Sequence, residues 1–221
     1  MIRKIIHILL LLPVFIILTA KSCGPDIEVV REAILKAEQD TTLMEIKSEF
    51  ASEYLFEDKL MAYGEKAKQK LLDFADCLCL YSHKNMDTLL KQQVKDMTYR
   101  LFYDKDAMLQ LCIDVPDKTR NGENNLAGLL AELEGSDYRS VEFRISDLRT
   151  IEPLHLERTD WYTGKLGCRF KITGITENDS LLLSETINQV KMMVTRTSKQ
   201  FGADTSLLIW QVFLDEMVVV N

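Results

Sequence analysis

The sequence lacks the short motifs by which common enzyme classes are identified. No serine lies in a Gly-x-Ser-x-Gly arrangement, and neither a glycine-rich phosphate loop nor a His-Glu-x-x-His pair occurs. These absences exclude the usual signatures of α/β-hydrolases, P-loop nucleotide-binding proteins and zinc proteases. We therefore predict no catalytic residue, no metal and no cofactor, and we favour a binding or accessory role over an enzymatic one.

Positive charge is also in short supply. The 221 residues contain 27 Lys and Arg against 34 Asp and Glu, which gives a net charge of −7, and no block of Lys or Arg occurs. An acidic chain is repelled by nucleic acid and by anionic lipid surfaces. Nucleic acid is therefore not expected as a partner.

The leading end of the chain carries the pattern of a secretory signal. Arg3 and Lys4 precede an apolar run, Ile5–Ala20, which Pro13 interrupts. This run is short against the roughly 20 apolar residues that a stable membrane-spanning helix needs. A positive lead, an apolar stretch of this length and small residues before a cysteine together indicate export.

The end of this signal resembles the lipobox of lipoproteins from Bacteroidetes-type bacteria. Ser22–Gly24 fits the pattern around an acylated cysteine, whereas Ala20 and Lys21 match it more loosely. The resemblance implies that residues 1–22 are a signal peptide and that Cys23 is the lipidation site, which would carry palmitate and other acyl chains. It also implies attachment to a membrane of the cell envelope, either facing the periplasm or at the outer membrane.

The mature protein would then be a single α+β domain over residues 23–221. Removal of residues 1–22 takes away three positive charges and no acid, so the net charge changes from −7 to −10. We expect such a protein to contact the membrane through its lipid and to bind another protein of the envelope. Cleavage elsewhere and an uncleaved inner-membrane anchor stay open as alternatives.

Four cysteines remain in this body: Cys77, Cys79, Cys112 and Cys168. Four thiols allow three pairings, among which the sequence does not choose. Cys77 and Cys79 are two positions apart in a helical pattern, so they point to different faces and should not bond to each other. Because all four fall in apolar patterns, we expect buried thiols.

The hydrophobic periodicity divides the body near Gly135. Before this glycine, apolar residues recur at helical spacing, and after it they alternate as in strands with one solvated face. The helical segments cover residues 27–37, 42–50, 60–81, 86–102, 107–113 and 126–133, and the strands cover residues 141–146, 166–173, 190–195 and 207–214. In the helix after Met86 we expect Leu89, Leu90, Val94, Met97 and Leu101 to face inward.

Helices followed by strands predict an α+β fold. We expect the helical part, residues 26–134, to pack on a curved antiparallel sheet of about four strands within residues 138–220. The element order from Met86 to Val220 resembles the NTF2-like superfamily, which implies a pocket for binding or transforming a small apolar molecule. The long helices before Met86 are not part of that pattern, and a helical domain joined to a separate sheet domain is the rival arrangement.

Two groups of residues resemble parts of metal sites. Asp117–Gly122 resembles the start of a calcium loop, but Gly128 stands where a bidentate glutamate is needed, so we expect a surface turn. Cys79 and His83 are four positions apart on a helix. Structural zinc normally takes four ligands in paired spacings, so we expect a buried cysteine beside a surface histidine.

A possible pocket rim lies in the connection before the second strand. His155, Trp161 and Tyr162 combine a base with two aromatic rings, and Glu152, Glu157 and Asp160 add acids. Such a set near the mouth of a strand is compatible with the rim of a ligand pocket. We favour the other interpretation, an ordinary polar hairpin loop anchored by two half-buried rings.

Overall fold

A computed structural model describes residues 54–111, 125–201 and 205–220. These residues lie in one compact unit, Phe50–Asn221. Within the described ranges, no helix is both long enough and apolar enough to cross a membrane. Several predictions fall outside the described residues: the signal peptide, Cys23, the helices before residue 54, Cys112 and the 117–122 loop.

Three helices come first in the described part of the chain. They are α1 (Glu57–Ser82), α2 (Thr88–Leu101) and α3 (Leu126–Gly135). Side chains cap two of these helices, since Asp87 accepts hydrogen bonds from the first amides of α2 and Asn125 accepts one from Gly128 in α3. Each cap satisfies amides that have no partner within the helix.

Four strands follow and form one antiparallel sheet in the order β1-β2-β3-β4. They are β1 (Ser140–Arg158), β2 (Trp161–Ile175), β3 (Ser180–Phe201) and β4 (Thr205–Val219). Register shifts interrupt the pairing of β1 with β2 at several points from Ser146 to Arg158, and such bulges bend a strand. The predicted α+β fold, with helices before a four-stranded antiparallel sheet, is confirmed.

The core lies between α1 and one face of the sheet. Leu71, Phe74 and Leu78 recur at helical spacing along α1 and are fully buried, as are Leu166 and Phe170 on β2. The apolar stripe of α1 therefore covers the apolar face of the sheet, and removal of both surfaces from water is the main stabilising contribution.

The second helix packs differently from the prediction. Within α2 only Val94 and Thr98 are buried, whereas Leu89, Leu90 and Met97 are exposed. The helix lies mainly on α1 and not on the sheet. A helix that contacts one neighbour buries a narrower stripe than one that lies in a core. The prediction that Leu89, Leu90 and Met97 face inward is therefore wrong.

Residues 102–110, which we call the edge segment, contact β4 at two points, with a turn at residues 105–106 between them. Phe102 forms a parallel bridge to Leu214, and Leu109 forms one to Met217. The helix predicted over residues 107–113 is therefore wrong over its described part. Ala107 and Leu109 are buried while Met108 between them is exposed, and this alternation is the period of a strand.

One glycine marks a close approach of two strands. A Cβ atom added to Gly164 on β2 would lie 2.7 Å from the carbonyl oxygen of Glu152 and 3.1 Å from the amide nitrogen of Leu154. Both contacts are with the backbone of β1, which cannot rotate away as a side chain can. In α1, by contrast, a Cβ added to Gly64 would meet nothing within 4 Å.

We predict opposite effects for alanine at these two glycines. Gly164→Ala should lower the free energy of unfolding by about 1–3 kcal/mol, because the added methyl group overfills the space between β1 and β2. Gly64→Ala should raise the free energy of unfolding by up to about 1 kcal/mol, because alanine favours a helix interior. Urea unfolding of both variants measures the difference. A Gly164→Ala variant as stable as the parent would contradict the close approach.

Candidate functional site

An open cleft of about 780 Å³ runs along the outer edge of β4. Its floor is the stretch Ile209–Phe213, and its walls come from α1, the end of α2 and the start of the edge segment. We call it the cationic cleft and define it by its four cationic residues and five of its aromatic residues: Lys66, Lys70, Arg100, Lys105, Tyr63, Tyr99, Tyr103, Trp210 and Phe213.

Positive charge is concentrated in this cleft. Among the described residues, Asp96 is the only acid in its lining, and its carboxylate already accepts a hydrogen bond from Gln92 at 3.0 Å. Over the described ranges, no carboxylate oxygen lies within 4.0 Å of the four cationic groups. Elsewhere on the surface, ion pairs with carboxylates are made by Lys68, Lys91, Arg144, Lys165, Arg169 and Lys191.

Aromatic rings hold two of these cations. The Lys66 ammonium lies 4.9 Å from the centre of the Tyr63 ring, and the Lys70 ammonium lies 5.3 Å from the centre of the Phe213 ring. Burial lowers the pKa of Lys70, and the nearby Asp73 carboxylate offsets part of that effect. An anion in the cleft would restore the electrostatic stabilisation that Lys70 loses by leaving water.

Residues behind the cleft fix its rings in place. Tyr103 meets Trp161 and Phe213 edge-on, with ring centres 5.6 and 5.9 Å apart. Trp210 meets Tyr162 in the same way at 5.5 Å, and its carbonyl oxygen accepts a hydrogen bond from the Tyr63 hydroxyl at 3.1 Å. Trp161 and Tyr162, which the sequence placed on a pocket rim, therefore support the aromatic residues of the cleft from behind.

His155 lies elsewhere, on an exposed part of β1. Its Nδ1 atom is 3.5 Å from a Glu152 carboxylate oxygen and 3.2 Å from the carbonyl oxygen of Pro153. Glu152 also binds Lys165 at 2.9 Å, and this hydrogen bond lowers the pKa of Glu152. Because β1 continues to Arg158, most of the connection expected around His155 is strand, and His155 does not line the cationic cleft.

The three described cysteines are free thiols; Cys77 and Cys168 are buried in the core, whereas Cys79 is only half-buried beside it. Cys79 accepts a hydrogen bond from the Phe143 amide at 3.1 Å and does not bond to His83, an exposed residue at the end of α1. Burial raises the pKa of Cys168 to about 12, and burial also raises the pKa values of Cys77 and Cys79. Among the described residues, no group of three or more His, Cys, Asp and Glu could hold a metal ion.

Only part of this cleft can be seen in the sequence. Lys66 and Lys70 lie four positions apart on α1; Lys66 has no acid three or four positions away, and Lys70 has only Asp73, three positions later. Such a pair looks like an ordinary solvated helix face. Arg100 and Lys105 come from other elements, and it is the parallel contact of the edge segment with β4 that brings them to the same place.

Comparisons with known proteins add little to this description. No protein-family model matches the chain, and no curated protein is similar to it in sequence. The fold is similar to a crystal structure described as a putative scytalone dehydratase from Novosphingobium aromaticivorans, at 9% sequence identity and a TM-score of 0.37, over 74% of this chain and 89% of that chain. A likeness this weak assigns no function to the cationic cleft.

Proposed function

We propose that this protein is a lipid-anchored binding protein of the cell envelope. In this proposal Cys23 carries the lipid, and the α+β body binds an anionic partner in the cationic cleft without transforming it. The sequence pattern before Gly24 supports the anchor, and the geometry of the cleft supports anion binding.

The observation that carries the proposal is a set of four cations that form no ion pair with a carboxylate of the described residues, in an acidic protein. Lys66, Lys70, Arg100 and Lys105 share one cleft, although the chain as a whole has a net charge of −7. Like charges gathered in a cleft repel one another unless a ligand neutralises them. The cleft volume of about 780 Å³ also lies within the usual range for ligand sites.

The NTF2-like interpretation offers a second location for a ligand, between the sheet and the helix that follows Met86. In the structure it is α1 that covers this face of the sheet, and Leu71, Phe74 and Leu78 fill the interface. The helix after Met86 lies outside that interface. We therefore place binding in the cationic cleft, where open volume and convergent polar groups occur together.

Charge reversal in the cleft should weaken anion binding. We expect the variant Lys66→Glu/Lys105→Glu to bind trimesate, a small aromatic tricarboxylate, about tenfold or more weakly than the parent, because two attractions become repulsions. Titration calorimetry at low ionic strength gives the affinities. Added salt should weaken trimesate binding to the parent as well.

The matched control is Lys84→Glu/Lys171→Glu, which changes the net charge by the same amount at exposed positions outside the cleft. This control should bind trimesate within about twofold of the parent, since exposed charges at a distance are screened. Equal losses in both double variants would show that total charge, and not the cleft, governs the affinity.

Trimesate binding should also depend on pH through Lys70. The lowered pKa means that free Lys70 loses its proton below the ordinary value of 10.5, and a bound carboxylate favours the protonated form. The affinity should therefore fall as the pH rises from neutral through the lowered pKa. Arginine keeps its charge over this range, so Lys70→Arg should remove this part of the decline. The same decline in both proteins would mean that Lys70 does not contact the ligand.

The anchor is tested separately. Metabolic labelling with palmitate should mark the parent protein, and Cys23→Ala should abolish the label while the protein is still made, because the acylated sulfur is lost. The matched control Cys112→Ala should keep the label. Unchanged membrane retention of Cys23→Ala, with no label on either protein, would reject the lipid anchor and leave anion binding unaffected.

A further inference from the structure

The floor of the cationic cleft presents backbone groups that point away from the sheet. In an antiparallel strand, the N–H and C=O groups of one residue point to the same side. The Leu214 carbonyl faces away from β3, because it accepts a hydrogen bond from the Tyr103 amide at 2.9 Å. Register is continuous from Val212 to Leu214, so the N–H and C=O groups of Val212 face the cleft too.

The edge segment shows that this side of β4 forms backbone hydrogen bonds with another part of the chain. Its backbone bonds reach Leu214 and Met217, and those described stop short of Val212. The Tyr63 hydroxyl bonds to the carbonyl oxygen of Trp210. The stretch Ile209–Phe213 is thus a continuation of an edge that is already partly paired, with a length of about 16 Å at the usual rise per residue.

This stretch lacks the residues and bulges that protect many natural sheet edges. Its sequence, Ile-Trp-Gln-Val-Phe, contains no lysine, proline or glycine, and the register of β3 with β4 has no bulge there. Edges of this kind pair with other chains unless something covers them. The cations around the edge come from α1, α2 and the edge segment, and Val212, although only 4% exposed, lines the cleft between them.

We propose that the partner is an extended acidic segment of another protein, which adds to β4 as a further strand. Backbone hydrogen bonds to Val212 would align the segment, and its carboxylates would pair with Lys66, Lys70, Arg100 and Lys105. Strand addition of this type takes affinity from the backbone and specificity from the alternate side chains. The inference rests on the proposed anion binding and names the class of partner for the same cleft.

The test uses the purified full-length chain in mild detergent and a capped peptide, Glu-Val-Glu-Val-Glu-Val-Glu. Binding of this peptide should slow hydrogen exchange of the Val212 amide about tenfold or more, because a new hydrogen bond protects it. Saturating trimesate, which has no backbone, should leave that exchange rate unchanged. A Lys-Val peptide of the same length should not bind.

Two changes remove the backbone bond without removing charge. Two methylated peptides are compared, one with its odd-numbered and one with its even-numbered amide nitrogens methylated. The peptide whose methyl groups replace the N–H groups that face β4 should bind about tenfold more weakly, and the other should bind as before. Val212→Pro removes the outward N–H and should weaken peptide binding similarly, since proline is tolerated where the N–H of an edge strand faces outward. Val212→Ala keeps the amide and should retain peptide binding. If Val212→Pro does not fold, the methylated peptides on the parent protein decide.

The outcomes separate the two proposals. Binding of both trimesate and the acidic peptide with no change at the Val212 amide would overturn strand addition and leave the anion site in place. A Val212 amide that already exchanges slowly in the free protein, and does not respond to the peptide, would show that this chain covers its own edge and would also overturn strand addition. Failure of both trimesate and the acidic peptide to bind would overturn both proposals.

Discussion

The packing of α1 across one face of the sheet is the constraint on which the rest of the structure depends. Leu71, Phe74 and Leu78 are completely buried against that face, so the direction of α1 is fixed by the apolar side chains beneath it. Lys66 and Lys70 lie on the same helix and must project beside β4 once its apolar stripe is seated. The position of the cationic cleft is therefore a consequence of how the core is covered.

The same constraint explains which parts of the structure could be predicted from the sequence. The apolar stripe from Leu60 to Tyr81 has the period of a helix, and the alternation around Phe143 and Phe170 has the period of a strand. These patterns predict α1, β1 and β2 in type and in order. The helix prediction for residues 107–111 is wrong because three alternating apolar residues are too few to distinguish a strand from a helical turn. Their extended form depends on pairing with Met217, which is more than 100 positions away along the chain.

The cleft itself could not have been predicted, for a related reason. Its charged groups come from three separate elements, and the spacing along the chain says nothing about their distance in space. Trp161 and Tyr162 were identified from composition, yet they serve the cleft only through Tyr103 and Trp210. The sequence indicates aromatic residues near the site but not the cations that distinguish it, because a lysine on a helix is usually a solvated surface residue.

The burial of Cys168 has a consequence for the reactivity of its thiol. Disulfide exchange and most oxidants require the thiolate, and with a pKa of about 12 this sulfur is almost entirely protonated under physiological conditions. A chain exported to an oxidising space could keep this cysteine reduced by burial alone. Redox enzymes would then reach the sulfur only during folding, before α1 has packed on the face of β2 that carries Cys168.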